Sequence, residues 1–77
     1  MIKAYILLNV GMGQVRNVVE HLRRSEKVIE ANMTFGPYDA VALVKINSLE
    51  ELGTLLTSVI QPIPGVIETL TCLAAEI

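Results

Sequence analysis

The chain is made of two strand–helix–strand units in series, and this order restricts the fold more than any other feature of the sequence. Alternating apolar residues predict strands, and apolar residues three and four positions apart predict helices. The predicted elements are strand 3–10, helix 14–24, strand 28–35, strand 40–46, helix 48–61 and strand 66–75. Because strand–helix–strand crossovers are right-handed, both helices cover the same face of one sheet. We therefore predict an α+β, ferredoxin-like βαββαβ sandwich of two layers, a four-stranded antiparallel sheet with two helices on one face.

Both predicted helices have an apolar face and recognisable boundaries. The stripe of the first helix is Val15, Val18, Val19 and Leu22. The apolar face of the second helix is Leu49, Leu52, Leu55, Leu56, Val59 and Ile60. Ser48 and Glu51 have the spacing of a capping box at the start of the second helix, and Pro62 cannot continue it. Gly53 within that helix costs about 1 kcal/mol relative to alanine, unless close packing requires the missing side chain.

Each strand is predicted to have one buried row of side chains and one row on the face without helices. The buried rows are Ala4, Ile6, Leu8 and Val10, then Ile29, Ala31, Met33 and Phe35, then Ala40, Ala42, Val44 and Ile46. The helix-free face is predicted to carry Tyr5, Leu7, Val41 and Leu43, with Ile67, Leu73 and Ala75 of the last strand. A patch this apolar exceeds what monomers usually expose, which predicts a subunit interface and a homodimer. A sheet with scattered surface hydrophobic residues is the alternative.

Composition and charge exclude several classes of protein. The 77 residues are 52% apolar and 18% charged, which excludes intrinsic disorder and predicts one domain over residues 1–77. The apolar runs are too short to span a bilayer, so we expect no membrane contact. The net charge is −2 and the one basic cluster is Arg23, Arg24 and Lys27, so we expect no direct contact with nucleic acid. A single cysteine fits a reducing, cytoplasmic location.

Few residues of the chain suit catalysis. His21 lies at the edge of the first helical stripe and is expected to be structural or solvated. Cys72 lies in the last strand and is expected to behave as a small buried hydrophobic residue. Gly11-Met12-Gly13 lacks the rest of a phosphate-binding motif and predicts a strand-to-helix turn. One histidine and one cysteine do not make a structural zinc site, so we predict no metal, no cofactor and no enzymatic activity.

Three short segments carry a resemblance to a known family. They are Gly36-Pro37-Tyr38-Asp39, Ile63-Pro64-Gly65-Val66 and Thr69-Leu70-Thr71, in this order on a βαββαβ frame. In order and spacing they resemble the amino-acid-binding (RAM) domain of the Lrp/AsnC, or feast/famine, transcriptional regulators. Full-length members carry an N-terminal helix-turn-helix domain before this unit. Here the first strand begins at the second or third residue, so the chain is similar to a stand-alone ligand-binding module of that family.

The resemblance implies a binding site for a free amino acid near the glycine-containing turn, where dimers meet. The ligand contacts it implies are Gly36, Pro37, Tyr38, Asp39, Thr69 and Thr71. Backbone amides at a glycine suit a carboxylate, while the Asp39 carboxylate and threonine hydroxyls can accept from an ammonium group. Tyr38 adds a wall and a hydroxyl. Each residue also has a purely structural alternative, since Asp39 can stabilise a turn and threonines are ordinary strand residues.

The resemblance also implies partners and assembly. Homodimers would assemble into higher rings, an octamer or a decamer, and a full-length Lrp/AsnC regulator is a possible partner. The function that follows is an effector-binding and assembly module that modulates transcription through partner regulators. Two alternatives stay open at this point: a small dimeric enzyme of the ferredoxin-like αβ-barrel type, and a structural scaffold that binds no ligand.

Overall fold

The computed structural model describes residues 1–75, and the last two residues of the predicted domain 1–77 lie outside that range. The elements follow the predicted βαββαβ order. They are β1 (Ile2–Val10), α1 (Val15–Arg23), β2 (Val28–Met33), β3 (Ala40–Ile46), α2 (Leu49–Leu55) with a π-helical turn (Leu56–Ile60), and β4 (Val66–Leu73). Neither of the helices described in residues 1–75 has the length and apolar character needed to cross a membrane.

The four strands form one antiparallel sheet in the order β2-β3-β1-β4. Its core face packs against the helices: Ile6 and Leu8 of β1 are fully buried in the same cluster as Val18 and Leu22 of α1. Alternate side chains of a strand point to opposite faces. Tyr5 and Leu7 therefore point to the face that carries no helix. This arrangement confirms the two-layer ferredoxin-like sandwich.

The predicted row of β2 is wrong in part. The strand ends at Met33 rather than at residue 35. Ala31 is buried as predicted, but Ile29 is 50% exposed and Phe35 is 97% exposed. The physical reason is a register shift between Val28 and Glu30, which inserts Ile29 as an extra residue and moves it out of the buried row. Met33 is 57% exposed although it pairs with the buried Ala40 on the helix side, because it ends an edge strand. Phe35 lies in the turn after the strand.

The second helix begins as predicted and ends differently. Ser48 Oγ accepts a hydrogen bond from the Glu51 N–H at 3.1 Å, which confirms the cap. After Leu55 the backbone changes to a π-helical turn, closed by the Gln61 N–H donating to the Leu56 carbonyl at 2.8 Å. Leu55 and Ile60, five residues apart, are both buried. The i→i+5 bonding of the π-helical turn brings residues at this spacing onto one face, whereas α-helical spacing places them about 140° apart around the helix. Two residues of the predicted face, Leu49 and Val59, are exposed instead.

An ion pair joins the two halves of the chain and gives a prediction about pH. Lys27 Nζ lies 2.9 Å from Glu51 Oε1. The hydrogen bond from Lys27, followed by one from the Asn47 backbone N–H, lowers the pKa of the Glu51 carboxyl below its ordinary value. A lowered pKa in the folded state means that the ionised form favours folding. This contribution is present above the ordinary pKa of 4.5 and is lost as the pH falls through the folded value.

We expect Lys27→Met to raise the pKa of Glu51 toward its ordinary value, because the largest cause of the lowering is removed. Carbon-detected NMR titration of the Glu51 carboxyl measures this directly. The matched control is Lys45→Met, which removes a lysine on the helix-free face and leaves the Glu51 titration unchanged. The thermal midpoint is expected to change little, since exposed ion pairs contribute little to stability. An unchanged Glu51 titration in Lys27→Met contradicts the assignment.

Candidate functional site

Three connecting segments meet at one end of the sheet, which we call the turn end. They are residues 11–14 between β1 and α1, residues 34–39 between β2 and β3, and residues 61–65 before β4. Because β1 is antiparallel to both β3 and β4, its last residues lie beside the first residues of those two strands. Two of the three segments of the resemblance, around Gly36 and around Gly65, therefore lie at the same end of the molecule.

The turn over residues 34–39 is bonded at its base and exposed at its tip. The Thr34 N–H donates to the Asp39 carbonyl at 3.0 Å, and Thr34 Oγ1–H donates to the Tyr38 carbonyl at 2.8 Å. Gly36 and Pro37 at the tip are exposed, and Tyr38 is partly buried. Gly36 has a φ of +152°, and a side chain built on it would meet nothing within 4 Å. The backbone at Gly36 is therefore open to close approach.

Asp39 joins this turn to the end of β1. Its backbone N–H donates to the Leu8 carbonyl at 2.9 Å. Its Oδ2 accepts a hydrogen bond from the Val10 N–H at 2.8 Å, across 29 positions of sequence. One oxygen of the carboxylate is thus already engaged by a backbone group of the same chain.

The segment around Gly65 packs tightly against the start of α1. The Gly11 N–H donates to the Gly65 carbonyl at 2.8 Å. Gly65 has a φ of +101°, and a Cβ there would lie 2.5 Å from the Cβ of Gln14. The Gly11-Met12-Gly13 segment forms the predicted strand-to-helix turn, with Met12 fully exposed. These contacts explain why this turn requires glycine at position 65.

The two threonines share a face, as predicted, but that face is the helix side. Thr69 is paired with Leu8 and Thr71 with Ile6, and both partners point into the core. Both threonines are partly buried. Asp39 precedes β3, which lies on the opposite side of β1 from β4. Its distance from Thr69 is therefore two strand spacings, about 10 Å. A single chain therefore does not bring the threonines and the residue 36–39 turn into one pocket.

The row of β4 predicted on the helix-free face is wrong. The register with β1 places Glu68, Leu70 and Cys72 there, opposite Asn9, Leu7 and Tyr5. The predicted row was Ile67, Leu73 and Ala75. Leu73 pairs with the buried Ala4 and therefore belongs to the helix side. Ile67 is the extra residue of a bulge opposite Asn9 and Val10. Ala75 lies beyond the end of the strand. Both rows of β4 contain apolar residues, so periodicity does not distinguish them.

The helix-free face nevertheless has the predicted apolar centre. We call this the open face, and its central residues are Tyr5, Leu7, Val41, Leu43, Leu70 and Cys72. Tyr5 is 43% exposed and Leu70 is 46% exposed. A shallow depression of about 290 Å³ is lined by Tyr5, Val41 and Leu43, with Glu30 and Asn32 of β2. The apolar surface therefore extends over the three strands β3, β1 and β4.

Two polar residues at the turn end were missed by sequence reasoning. Asn9 and Glu68 are paired across β1 and β4, and Asn9 Nδ2 donates to Glu68 Oε1 at 3.3 Å. They form the polar border of the open face. Asn9 stands out in the sequence as the polar residue near the end of an apolar strand, but only the register reveals Glu68 as its neighbour.

The two candidate reactive residues lie outside this end of the sheet. His21 is exposed, and its Nδ1–H donates to the Asn17 carbonyl of its own helix at 2.9 Å, in line with the structural or solvated role expected. Cys72 was predicted to be buried and is exposed in the single chain, because its row lies on the open face. Within residues 1–75, no group of three or more histidine, cysteine or acidic residues is arranged to hold a metal ion.

Comparison with known proteins matches the chain to one family. Residues 3–77 match the family model described as the Lrp/AsnC ligand binding domain. A curated relative, the HTH-type transcriptional regulator FL11 of Pyrococcus abyssi, is 37% identical over 73 residues. That alignment covers 95% of this chain and 48% of the relative, so the chain spans about half the length of this regulator.

Solved structures agree in fold. A protein of Thermus thermophilus is 35% identical and superposes with a TM-score of 0.94, over all of this chain and 96% of its own. A hypothetical protein of Pyrococcus horikoshii is 32% identical with a TM-score of 0.91, over 99% of this chain and 92% of its own. The chain belongs to the Lrp/AsnC family and carries its ligand-binding domain.

Proposed function

We propose that this chain is an amino-acid effector-binding and assembly module that modulates transcription through partner regulators. The observation that carries the proposal is the turn over residues 34–39, which hydrogen bonds hold at its base while Gly36 at its tip stays open. A turn ordered before the ligand arrives loses less conformational entropy on binding. The match of residues 3–77 to the Lrp/AsnC ligand binding domain supports a ligand-binding role.

The two charged ends of a free amino acid call for different partners. Backbone N–H groups near Gly36 suit the carboxylate, because no side chain stands between them and a ligand. The ammonium group requires acceptors, for which Thr69 and Thr71 offer hydroxyl oxygens. Tyr38, partly buried beside the tip, supplies an aromatic wall. Pro37 restricts the tip because its ring limits φ.

The separation of these groups within one chain argues for a site completed by a second chain. The threonines lie about 10 Å from Asp39, on the other side of β1. We propose that the turn of one chain approaches the threonines of another where dimers meet. Closing such a site removes water, which strengthens the charge-assisted hydrogen bonds to the ligand. Amino-acid binding then shifts the equilibrium between assemblies, because the ligand has more contacts in one of them.

Assembly in this proposal begins with a homodimer formed by two open faces. The apolar centre of that face is rimmed by polar residues, among them Lys3, Lys45 and Glu68, as in many protein interfaces. Dimers would then combine into rings, either octamers or decamers. The same surfaces would admit a full-length regulator of the family as a mixed partner.

Calorimetric titration with the twenty amino acids tests the proposal. We expect at least one to bind with a dissociation constant below about 1 mM, which corresponds to about 4 kcal/mol of binding free energy. Native mass spectrometry of the same samples is expected to show a change in the distribution of oligomers on binding.

Two analogues of the best ligand are the controls for this titration. The carboxamide removes the negative charge proposed to face Gly36, and the N-acetyl derivative removes the ammonium group. Each is expected to bind more than about tenfold more weakly, because each loses charge-assisted hydrogen bonds. If no amino acid binds, the proposal is wrong and the structural scaffold is favoured.

A further inference from the structure

The Asp39 carboxylate accepts a hydrogen bond from β1 just beyond the point where backbone pairing between β1 and β3 ends. The last paired residues of these strands are Leu8 and Ala40. Two positions further along β1, the Val10 N–H donates to Asp39 Oδ2 at 2.8 Å. Val10 is buried in the core, at a register irregularity between β1 and β4. The side chain therefore provides the acceptor for a backbone N–H that the β3 backbone does not reach.

We infer that Asp39 is a positioning residue for the turn over residues 34–39, which it orders through the Val10 N–H rather than by contact with the ligand; this inference rests on the proposed function. The carboxylate and the Asp39 N–H both bond β1, at Val10 and Leu8. Thr34 bonds the same end of the turn through its N–H and hydroxyl. Gly36 and Pro37 at the tip are exposed, and a side chain built on Gly36 would meet nothing within 4 Å, so the hydrogen bonds at the base are what order the turn.

Charge and geometry distinguish positioning from direct contact. A bond to a backbone N–H needs an acceptor oxygen at one place and does not need a negative charge. A contact to a ligand ammonium depends on the charge and tolerates a small displacement of the oxygen. Asn keeps an oxygen at the same distance from the backbone and removes the charge, whereas Glu keeps the charge and moves the oxygens outward by one methylene. The variants Asp39→Asn and Asp39→Glu therefore separate the two roles.

Two measurements on the full chain test the inference. The first is hydrogen exchange of the Val10 amide without ligand, and the second is affinity for the amino acid that binds the parent best. We expect Asp39→Ala to speed exchange of the Val10 amide and to lose affinity by at least about tenfold, because the N–H of the buried Val10 then has no acceptor and the base of the turn is loosened. Asp39→Asn is expected to stay within about threefold of the parent in both measurements. Glu26→Gln, an exposed carboxylate in the turn before β2 and away from both the turn end and the open face, is the control for loss of one negative charge.

Comparing the affinity and the Val10 exchange of Asp39→Asn with those of Asp39→Glu distinguishes positioning from direct contact even if Asp39→Ala does not fold. Positioning predicts that Asp39→Asn retains more affinity and slower Val10 exchange than Asp39→Glu. Tighter binding by Asp39→Glu than by Asp39→Asn overturns the inference in favour of direct contact. Val10 exchange that is equal in the parent and all variants overturns it as well. If the parent binds no amino acid, the proposed function fails, and the exchange measurement alone then decides whether Asp39 orders the turn.

Discussion

Leu43→Asp is expected to separate the proposed dimer into single chains. Leu43 lies in the apolar centre of the open face, paired with Tyr5 on β1 and Glu30 on β2. In a dimer of open faces the new carboxylate would be buried without a partner and close to Glu30. An unpaired buried charge costs about 3 kcal/mol or more, which raises the dimer dissociation constant more than about a hundredfold. Sedimentation velocity across a concentration series measures the change.

Leu49→Asp is the matched control, because it makes the same substitution away from the open face. Leu49 is 60% exposed in the first turn of α2, where a negative charge is favourable. The control is expected to sediment like the parent. Circular dichroism of both variants verifies that the fold is kept. If the parent runs as a single chain of 8.4 kDa at high concentration, or if Leu43→Asp sediments unchanged, the open face is not the interface.

Gly65→Ala is expected to cause the largest loss of stability among the glycine substitutions. Two effects add: a side chain at a φ of +101° is strained, and its Cβ would lie 2.5 Å from the Cβ of Gln14. Together they are expected to cost about 3 kcal/mol. For a domain of this size that lowers the melting midpoint by more than about 10 °C. Thermal denaturation at one fixed protein concentration is the measurement, since oligomerisation makes the midpoint depend on concentration.

Two other glycines serve as controls for Gly65→Ala. Gly36→Ala is expected to cost only about 1 kcal/mol, because its φ is positive but nothing lies near the new methyl group. Gly53→Ala is expected to stabilise by up to about 1 kcal/mol, because Gly53 is helical and has no close neighbour. Adding Gln14→Gly to Gly65→Ala removes the overlapping Cβ and is expected to recover part of the loss. Equal losses of stability in Gly65→Ala and Gly36→Ala would mean that the contact between position 65 and Gln14 is not tight.

Patterns confined to one segment predicted the elements of this fold well. Strand β3 occupies residues 40–46 as predicted, and Ser48 caps α2 as the capping-box spacing indicates. Capping, helical periodicity and proline breaks act over a few neighbouring residues, so they can be read from the chain alone. The π-helical turn was not predicted, because the choice between α and π spacing there depends on how Ile60 fits the core.

Candidate site residues were harder to place than elements. The sequence indicated Gly36 to Asp39 as a turn, and the structure has a turn there. Nothing local indicated that Asp39 would bond Val10, or that Thr69 would point to the helix side. These facts depend on the register of strands that are distant in sequence, where a shift of one residue reverses the face of every side chain.

The sequence by itself determined the order of the elements, the apolar stripe of α1, and an open face centred on Tyr5 and Leu43. Each of these follows from the periodicity of apolar residues, because the geometry of a helix or strand fixes which residues share a face. Only the tertiary structure decided which row of β4 joins the open face and which backbone group the Asp39 carboxylate bonds. The physical reason is that either row of β4 could face the core in a strand of this sequence. Pairing with β1 decides which row does, and the paired residues are far apart in sequence: Asn9 and Glu68 are separated by more than fifty positions.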